Sequence, residues 1–145
     1  MMSRISTVDP NTATGDALDK ATQERIALAV AESNACQYCV SAHTAIGRRA
    51  GLSNEEMLLN RQGASGDAKA AAAVAFARAL NENVGEVTTA ELEAARAAGL
   101  SAAELVEIIA AVALNIYTNI IGKATRLDID FPKVELLGAP SRRAA

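Results

Sequence analysis

The chain has 145 residues, half of them hydrophobic but only 3% aromatic, and carries a formal net charge of −3. This length can bury a core of its own, so residues 1–145 are expected to form a single domain. The acidic balance without a basic patch excludes nucleic-acid binding as a default function. Abundant alanine and scarce aromatic residues favour closely packed helices over a sheet, so the predicted fold class is all-α.

Six helices are predicted, because the three prolines lie near the chain ends and glycines and polar caps divide the remainder. The residues after 128, up to about 140, are expected to form an extended, packed terminus. The sequence Ala-Gly-Leu-Ser recurs at 50–53 and 98–101, which indicates either ordinary helix ends or a duplicated helical hairpin. The first two predicted helices cover about 16–33 and 36–50, and Ser53 begins the third. The fourth runs from Asp67 to about 81, the fifth from Thr88 or Thr89 to Gly99, and the sixth from Ser101 to about 121.

The sixth predicted helix is apolar nearly all round, so it is expected to be central or buried between subunits. Its apolar run is interrupted by Glu107, Asn115 and Asn119. It therefore falls short of the roughly 20 apolar residues that span a bilayer, and no membrane association is expected. The first twenty residues are polar and lack the apolar core of a secretory signal. A cytoplasmic location, which is a reducing compartment, is expected on that ground.

Both cysteines and the only histidine lie in one short stretch of the sequence, residues 32–43. If that stretch is helical, Glu32, Cys36, Cys39 and His43 share one face, because residues three or four apart are neighbours on a helix. A cysteine pair at this spacing can close a disulfide, and the start of a helix favours the thiolate form. The pattern predicts a sulfur redox site or a metal site.

Two further groups can move protons beside these thiols. His43 lies four residues after Cys39 and can accept its proton, directly or through a water. Glu24, upstream of the cysteines, is flanked by the apolar run Ile26, Leu28 and Val30. It is therefore expected to face inward, where burial would raise its pKa and permit proton exchange near neutrality. Tyr38, between the cysteines, is either a packing residue or a hydroxyl at the site.

Glu24 followed by Cys36-Gln-Tyr-Cys39-Val-Ser-Ala-His43 resembles the signature of the AhpD-like peroxidases, within the carboxymuconolactone decarboxylase superfamily. The likeness extends to Glu-Arg-Ile-Ala-Leu-Ala-Val-Ala-Glu before the cysteines, and to 113–119 and 128–132 near the end. It implies a six-helix domain that assembles into homotrimers or homohexamers. It also implies reduction of peroxides by the cysteine pair, without a bound cofactor, at the expense of an external thiol or lipoyl-type reductant.

Carried over by position, Cys39 resembles the peroxidatic cysteine, which becomes a sulfenic acid. Cys36 resembles its partner, which closes the disulfide and receives electrons from outside. His43 and Glu24 match the proton relay, and Glu32 matches the glutamate of a shorter form of the motif. One departure is Tyr38, where the best-characterised site has a second histidine. The decarboxylase branch lacks the cysteine pair, so lactone chemistry is not expected.

Three other functions fit the residues less well. A thiol–disulfide oxidoreductase would use the same cysteine pair on disulfide substrates, but the strand context typical of thioredoxins is missing. A metal-binding helical module would draw four ligands from Glu32, Cys36, Cys39 and His43, whereas zinc sites usually use two separated pairs. A purely structural, oligomer-forming protein would tolerate the loss of both cysteines.

Overall fold

The computed structural model describes residues 3–6 and 8–138, and every regular element in this part of the chain is a helix. This confirms the all-α prediction. The predicted caps Ser53, Asp67, Thr88 and Ser101 each begin a helix. The six helices are α1 (Lys20–Ser33), α2 (Gln37–Arg49), α3 (Asn54–Arg61), α4 (Ala68–Glu82), α5 (Thr89–Ala97) and α6 (Ala102–Ala124).

The two largest differences from the predicted bounds lie in α1 and α6. α1 begins four residues later than expected, because the Asp19 carboxylate accepts the Thr22 N–H and sets the start of the helix at Lys20. α6 continues to Ala124, since no residue before Thr125 breaks its hydrogen-bonding pattern. Local capping chemistry therefore decides where these helices begin and end.

The central helix of the protomer is α1, which packs against α2, α3, α4 and α6. Its residues from Ile26 to Glu32 are all buried. Ile26 and Val30 belong to the main core cluster together with Phe76 of α4 and Ile108 of α6. The apolar sequence of α6 predicted a central position for that helix as one of two options, but α1 occupies this position.

α6 instead presents two different faces. Its inner face buries Leu105, Ile108 and Val112. Its outer face exposes Leu114, Tyr117 and Ile120 by 61%, 62% and 60%. In the described part of the chain it is the one helix whose length and composition would allow it to cross a membrane, a property shared by core helices of soluble bundles. The outer face is therefore an apolar surface that the described residues of the protomer leave uncovered.

The two Ala-Gly-Leu-Ser corners share one geometry. Gly51 and Gly99 adopt left-handed φ angles of 90° and 94°, which glycine tolerates without steric cost. The following residues, Leu52 and Leu100, each donate their N–H to a carbonyl five residues back. This is a standard helix C-terminal motif, and it accounts for the recurrence of the sequence.

Residues 131–137, which we call the strap, run across α2 without regular secondary structure. The Val134 N–H donates to Ser41 Oγ at 3.0 Å, and Gln37 Nε2 donates to the Val134 carbonyl at 3.1 Å. Val134 and Leu136 pack against the small core cluster that contains both cysteines. The predicted packed terminus is confirmed as far as residue 138, while 139–140 lie outside the described residues.

Candidate active site

The two cysteines lie where the chain turns from α1 into α2. Ala35 takes a left-handed φ of 52°, so α1 ends and α2 begins in a new direction. Cys36 is the N-cap of α2, and its Sγ accepts the N–H of Cys39 at 3.3 Å. The two cysteines form a disulfide with their Cα atoms 5.2 Å apart. The sequence spacing predicted this pairing.

The disulfide is almost entirely enclosed, with Cys36 exposed by 1% and Cys39 by 5%. Gly122 of α6 lies directly against it. A Cβ atom at this position would be 3.3 Å from Cys36 Sγ and 3.6 Å from Cys39 Sγ. The sequence did not identify Gly122 as a site residue, because it indicated only a helix boundary there. A glycine inside a long apolar helix costs about 1 kcal/mol relative to alanine, and this cost was the signal that the position has a special role.

Glu24 of α1 and His43 of α2 form a hydrogen-bonded pair, with 2.7 Å between Glu24 Oε2 and His43 Nδ1. The other carboxylate oxygen of Glu24 lies 2.9 Å from Lys20 Nζ. If the imidazole is neutral, donation from Nδ1 to the carboxylate leaves Nε2 as the proton acceptor. The pair therefore orients a base, as a carboxylate does for histidine in hydrolytic triads.

The direction of the Glu24 pKa shift differs from the sequence-based expectation. Burial does raise the pKa of Glu24, but the hydrogen bonds from His43 and Lys20 outweigh it and hold the pKa below its ordinary value of 4.5. The expectation of a raised pKa was wrong because it included burial and omitted these two donors. Glu24 is thus a stable carboxylate at neutral pH.

The Glu24–His43 pair and one of the cysteines line the same cavity, which has a volume of about 600 Å³. Of the two cysteines, only Cys39 is among the described residues that line it, and it does so with Glu24 and His43. Most of the remaining wall is aliphatic, contributed chiefly by Ala42, Ile46, Leu114, Ile121 and Leu127. The cavity therefore places Cys39 and the Glu24–His43 pair on one mainly aliphatic wall.

Glu32 lies outside this arrangement. It belongs to α1, and the turn at Ala35 separates it from the face of α2 that carries Cys39 and His43. Its Oε2 lies 2.8 Å from Arg61 Nε, and its Oε1 accepts the Leu137 N–H at 2.6 Å. The structure thus gives Glu32 contacts with α3 and the strap, while Glu24 contacts His43.

Tyr38 lines the cavity and its ring meets Phe131 of the strap edge-on, with ring centroids 6.0 Å apart. Desolvation, followed by the negative charge of Asp130 and a hydrogen bond to it, raises the pKa of the Tyr38 phenol. The hydroxyl is therefore protonated at neutral pH. The packing interpretation of Tyr38 is thus confirmed by its ring contact with Phe131. A role of its hydroxyl at the site stays a prediction.

The four residues considered as metal ligands do not converge. Cys36 and Cys39 are bonded to each other, Glu32 is paired with Arg61, and His43 is paired with Glu24. Within the described ranges, no group of three or more histidine, cysteine or acidic side chains is arranged to hold a metal ion. The geometry of these residues is that of a dithiol site.

The arrangement agrees with comparisons to known proteins. Residues 2–82, which include both cysteines, Glu24 and His43, match the model of the carboxymuconolactone decarboxylase family. A crystal structure of an uncharacterized peroxidase-related protein from Silicibacter sp. TM1040 is 27% identical, with a TM-score of 0.70. The match covers 78% of this chain and 61% of that one. No curated protein matches the chain significantly. The chain is an AhpD-like member of the carboxymuconolactone decarboxylase family.

Proposed function

We propose that the protein is a peroxidase that reduces organic hydroperoxides or hydrogen peroxide through a dithiol–disulfide cycle of Cys36 and Cys39. One observation carries the proposal: Cys39 and the Glu24–His43 pair line the same cavity, and Cys39 is disulfide-bonded to Cys36. The family membership and the peroxidase-related structural neighbour suggest a peroxidase-like protein.

In the oxidative step, His43 Nε2 takes the proton of the Cys39 thiol, and the thiolate attacks the terminal oxygen of the hydroperoxide. An S–O bond forms and the O–O bond breaks. The leaving alkoxide takes a proton from the imidazolium, which gives an alcohol and a sulfenic acid on Cys39. Ionised Glu24 stabilises the transient imidazolium, which is the function of the carboxylate in hydrolytic triads.

The disulfide then forms within the pair. The Cys36 sulfur attacks the Cys39 sulfur of the sulfenic acid, so that an S–S bond forms, the S–O bond breaks and water leaves. The Cα atoms of the disulfide are 5.2 Å apart, inside the ordinary range for such bonds. Two electrons from an external thiol or lipoyl-type dithiol return the pair to the reduced state, which suits a reducing cytoplasm.

The cavity lining favours organic hydroperoxides as substrates. Its wall is mainly aliphatic, and its volume of about 600 Å³ accommodates a molecule much larger than hydrogen peroxide. Burial of an alkyl group against this wall contributes about 0.8 kcal/mol for each methylene. An organic hydroperoxide should therefore have the lower KM of the two peroxide classes.

Assembly into homotrimers or homohexamers is part of the proposal. The outer face of α6 exposes Leu114, Tyr117 and Ile120, and a contiguous apolar surface of this kind is typical of a subunit interface. Leu114 also lines the cavity. Covering this face would therefore shield the mouth of the cavity from water.

The direct test is peroxide consumption by the full chain with dithiothreitol or dihydrolipoamide as reductant. Cumene hydroperoxide and hydrogen peroxide serve as substrates, and Cys39→Ser is the inactive control. We expect turnover by the wild-type protein and none above background by the variant. If the protein consumes no peroxide but reduces small disulfides, it is a thiol–disulfide oxidoreductase. If both cysteines can be replaced without loss of any redox activity, the proposed cycle is wrong.

A further inference from the structure

We infer that the reductant attacks the sulfur of Cys39, and not that of Cys36, so that electrons enter through the same cavity as the peroxide. The inference rests on the proposed dithiol–disulfide cycle and concerns its reductive half. It departs from the resemblance, which gives Cys36 the contact with the external donor.

The two sulfurs differ in their access to the cavity. Thiol–disulfide exchange needs an incoming sulfur to reach one sulfur of the disulfide directly. Cys39 lines the cavity, whereas Cys36 is 1% exposed and is absent from the described residues that form the cavity wall. Gly122 of α6 lies against both sulfurs, since a Cβ there would be 3.3 Å from Cys36 Sγ and 3.6 Å from Cys39 Sγ. A reductant in the cavity therefore meets Cys39 first.

The strap restricts access to the disulfide from outside the cavity. Val134 and Leu136 pack against the small core cluster that contains both cysteines. The strap is held to three helices, because the Val134 N–H donates to Ser41 of α2, Arg61 of α3 donates to the Glu135 carbonyl, and the Leu137 N–H donates to Glu32 of α1. Ser41 is fully buried, and the Glu32 carboxylate is held by Arg61. Approach to either sulfur from this side requires the strap to move, so the cavity wall at Cys39 is the more direct route.

Cys36 is also the better leaving group of the two sulfurs. Attack on Cys39 expels Cys36 as a thiolate, and exchange is faster when the leaving sulfur is a stabilised thiolate. Cys36 is the N-cap of α2, and its sulfur already accepts the Cys39 N–H at 3.3 Å. The positive end of the helix dipole stabilises negative charge at this position. The fold thus provides for a thiolate on Cys36 and an electrophilic sulfur on Cys39.

A dithiol would reduce the disulfide in two exchange steps. One thiol of the reductant loses its proton to solvent, and the thiolate attacks Cys39 Sγ, so that a mixed disulfide forms and the Cys36–Cys39 bond breaks. The electron pair of that bond goes to Cys36, which takes a proton from solvent. The second thiol of the reductant then loses its proton to solvent and attacks the reductant's own bonded sulfur, so that a cyclic disulfide leaves and Cys39 is released as a thiolate. Two electrons pass from the reductant to the cysteine pair; one of its two protons reaches Cys36 through solvent and the other stays in solvent.

The first experiment locates the mixed disulfide in the wild-type protein. The oxidised full chain is mixed briefly with the monothiol 2-mercaptoethanol, quenched in acid and treated with N-ethylmaleimide. Fragmentation of the peptide that carries both cysteines then shows which one holds the adduct. We expect the adduct on Cys39 and the maleimide on Cys36. Adduct found mainly on Cys36 at the earliest times overturns the inference.

The second experiment measures access to each sulfur in single-cysteine proteins with an aromatic disulfide reagent over a range of pH, which corrects for differences in thiolate fraction. We expect the thiol of Cys36→Ser, which retains Cys39, to react at least about tenfold faster than that of Cys39→Ser.

Adding Ser41→Ala to the Cys39→Ser protein removes the acceptor of the Val134 N–H. Reactivity of Cys36 should then rise about five- to tenfold, the scale on which one buried hydrogen bond shifts a local opening equilibrium.

Thr44→Val is the matched control for Ser41→Ala. Thr44 is also a buried hydroxyl residue of α2, but it bonds to the Val40 carbonyl within the helix and not to the strap. It should leave the reactivity of Cys36 unchanged, and equal effects of the two substitutions would count against the strap. Neither experiment uses peroxide. If no thiol reduces the disulfide, the proposed function is wrong. If the disulfide is reduced but the adduct is on Cys36, only this inference is wrong.

Discussion

Glu24 Oε2 and His43 Nδ1 lie 2.7 Å apart and join α1 to α2 at the wall of the cavity that contains Cys39. The pKa of Glu24 lies below 4.5, because the bonds from His43 and Lys20 outweigh the opposing effect of its burial. The carboxylate therefore stays ionised at neutral pH. In the proposed mechanism, Glu24 orients and stabilises the base, and His43 carries the proton.

Replacing Glu24 by glutamine should lower kcat/KM for peroxide reduction by roughly ten- to a thousandfold, the usual scale of a general acid–base contribution. Glutamine keeps the shape of the side chain but provides no negative charge for the imidazolium. The measurement is steady-state peroxide consumption with saturating dithiothreitol. Glu32→Gln is the matched control, because Glu32 is also a buried carboxylate of α1 but bonds to Arg61 and the strap. A larger loss of kcat/KM in Glu32→Gln than in Glu24→Gln would show that Glu32, and not Glu24, is the carboxylate of the proton relay.

The cysteine pair should cycle reversibly between dithiol and disulfide. Treating the reduced protein with one equivalent of peroxide should remove two titratable thiols per chain and produce no sulfonic acid. In the Cys36→Ser protein, Cys39 should accumulate a sulfenic acid that a dimedone-type reagent labels. Thiol titration and mass spectrometry provide both measurements. Retention of both thiols in a folded protein under mild oxidant would contradict the proposed chemistry.

The sequence predicted those features that depend on neighbours along the chain. Ser53, Asp67, Thr88 and Ser101 cap their helices as expected, because a cap needs only a side chain and the next few N–H groups. The Cys36–Cys39 disulfide was predictable for the same reason, since both sulfurs belong to one turn of α2.

Features that depend on distant contacts could not be predicted in this way. The sequence gives no sign that Glu32 meets Arg61, because the left-handed turn at Ala35 redirects the chain between Glu32 and the cysteines. The lowered pKa of Glu24 depends on His43, nineteen positions away. The contact of Gly122 with the cysteines depends on the packing of α6 against α2.

Acid should destabilise the fold through Glu56. Burial would raise its pKa, but hydrogen bonds from Ser65, Gly66, Asn60 and Arg25 outweigh it and lower the pKa from 4.5 to about 2. A carboxyl with a depressed pKa in the folded state stabilises the fold above its unfolded pKa, and this stabilisation is lost as the pH falls toward the folded value. The free energy of unfolding should therefore decline between pH 4.5 and about 2.

Glu56→Gln tests this assignment. At pH 7 it should lower the free energy of unfolding by about 1–3 kcal/mol, because it weakens a partly buried set of charge-assisted hydrogen bonds. Its stability should then decline less steeply than that of the wild type below pH 4.5. Urea unfolding at several pH values measures both effects. The exposed neighbour Glu55 provides the control, and Glu55→Gln should follow the wild-type curve. Parallel curves for the wild type and Glu56→Gln would rule out this origin of acid sensitivity.

The outer face of α6 should hold the protein in an oligomer. Leu114, Tyr117 and Ile120 follow one another at intervals of three residues, so they lie along one side of the helix, and each is at least 60% exposed in the protomer. Burying a large apolar side chain of this kind contributes about 1.5–3 kcal/mol. Light scattering should therefore give a multiple of the 15.0 kDa chain mass at micromolar concentration.

Ile120→Glu should dissociate this assembly without unfolding the protomer, because it places an unpaired carboxylate in an apolar contact where desolvation costs several kcal/mol. We expect a particle of 15.0 kDa with an unchanged helical circular-dichroism spectrum. Val84→Glu is the matched control, since Val84 is 91% exposed but belongs to the turn after α4 and not to α6. That variant should keep the wild-type mass. A wild-type particle of 15.0 kDa, or equal dissociation in both variants, would show that the outer face of α6 is not the interface.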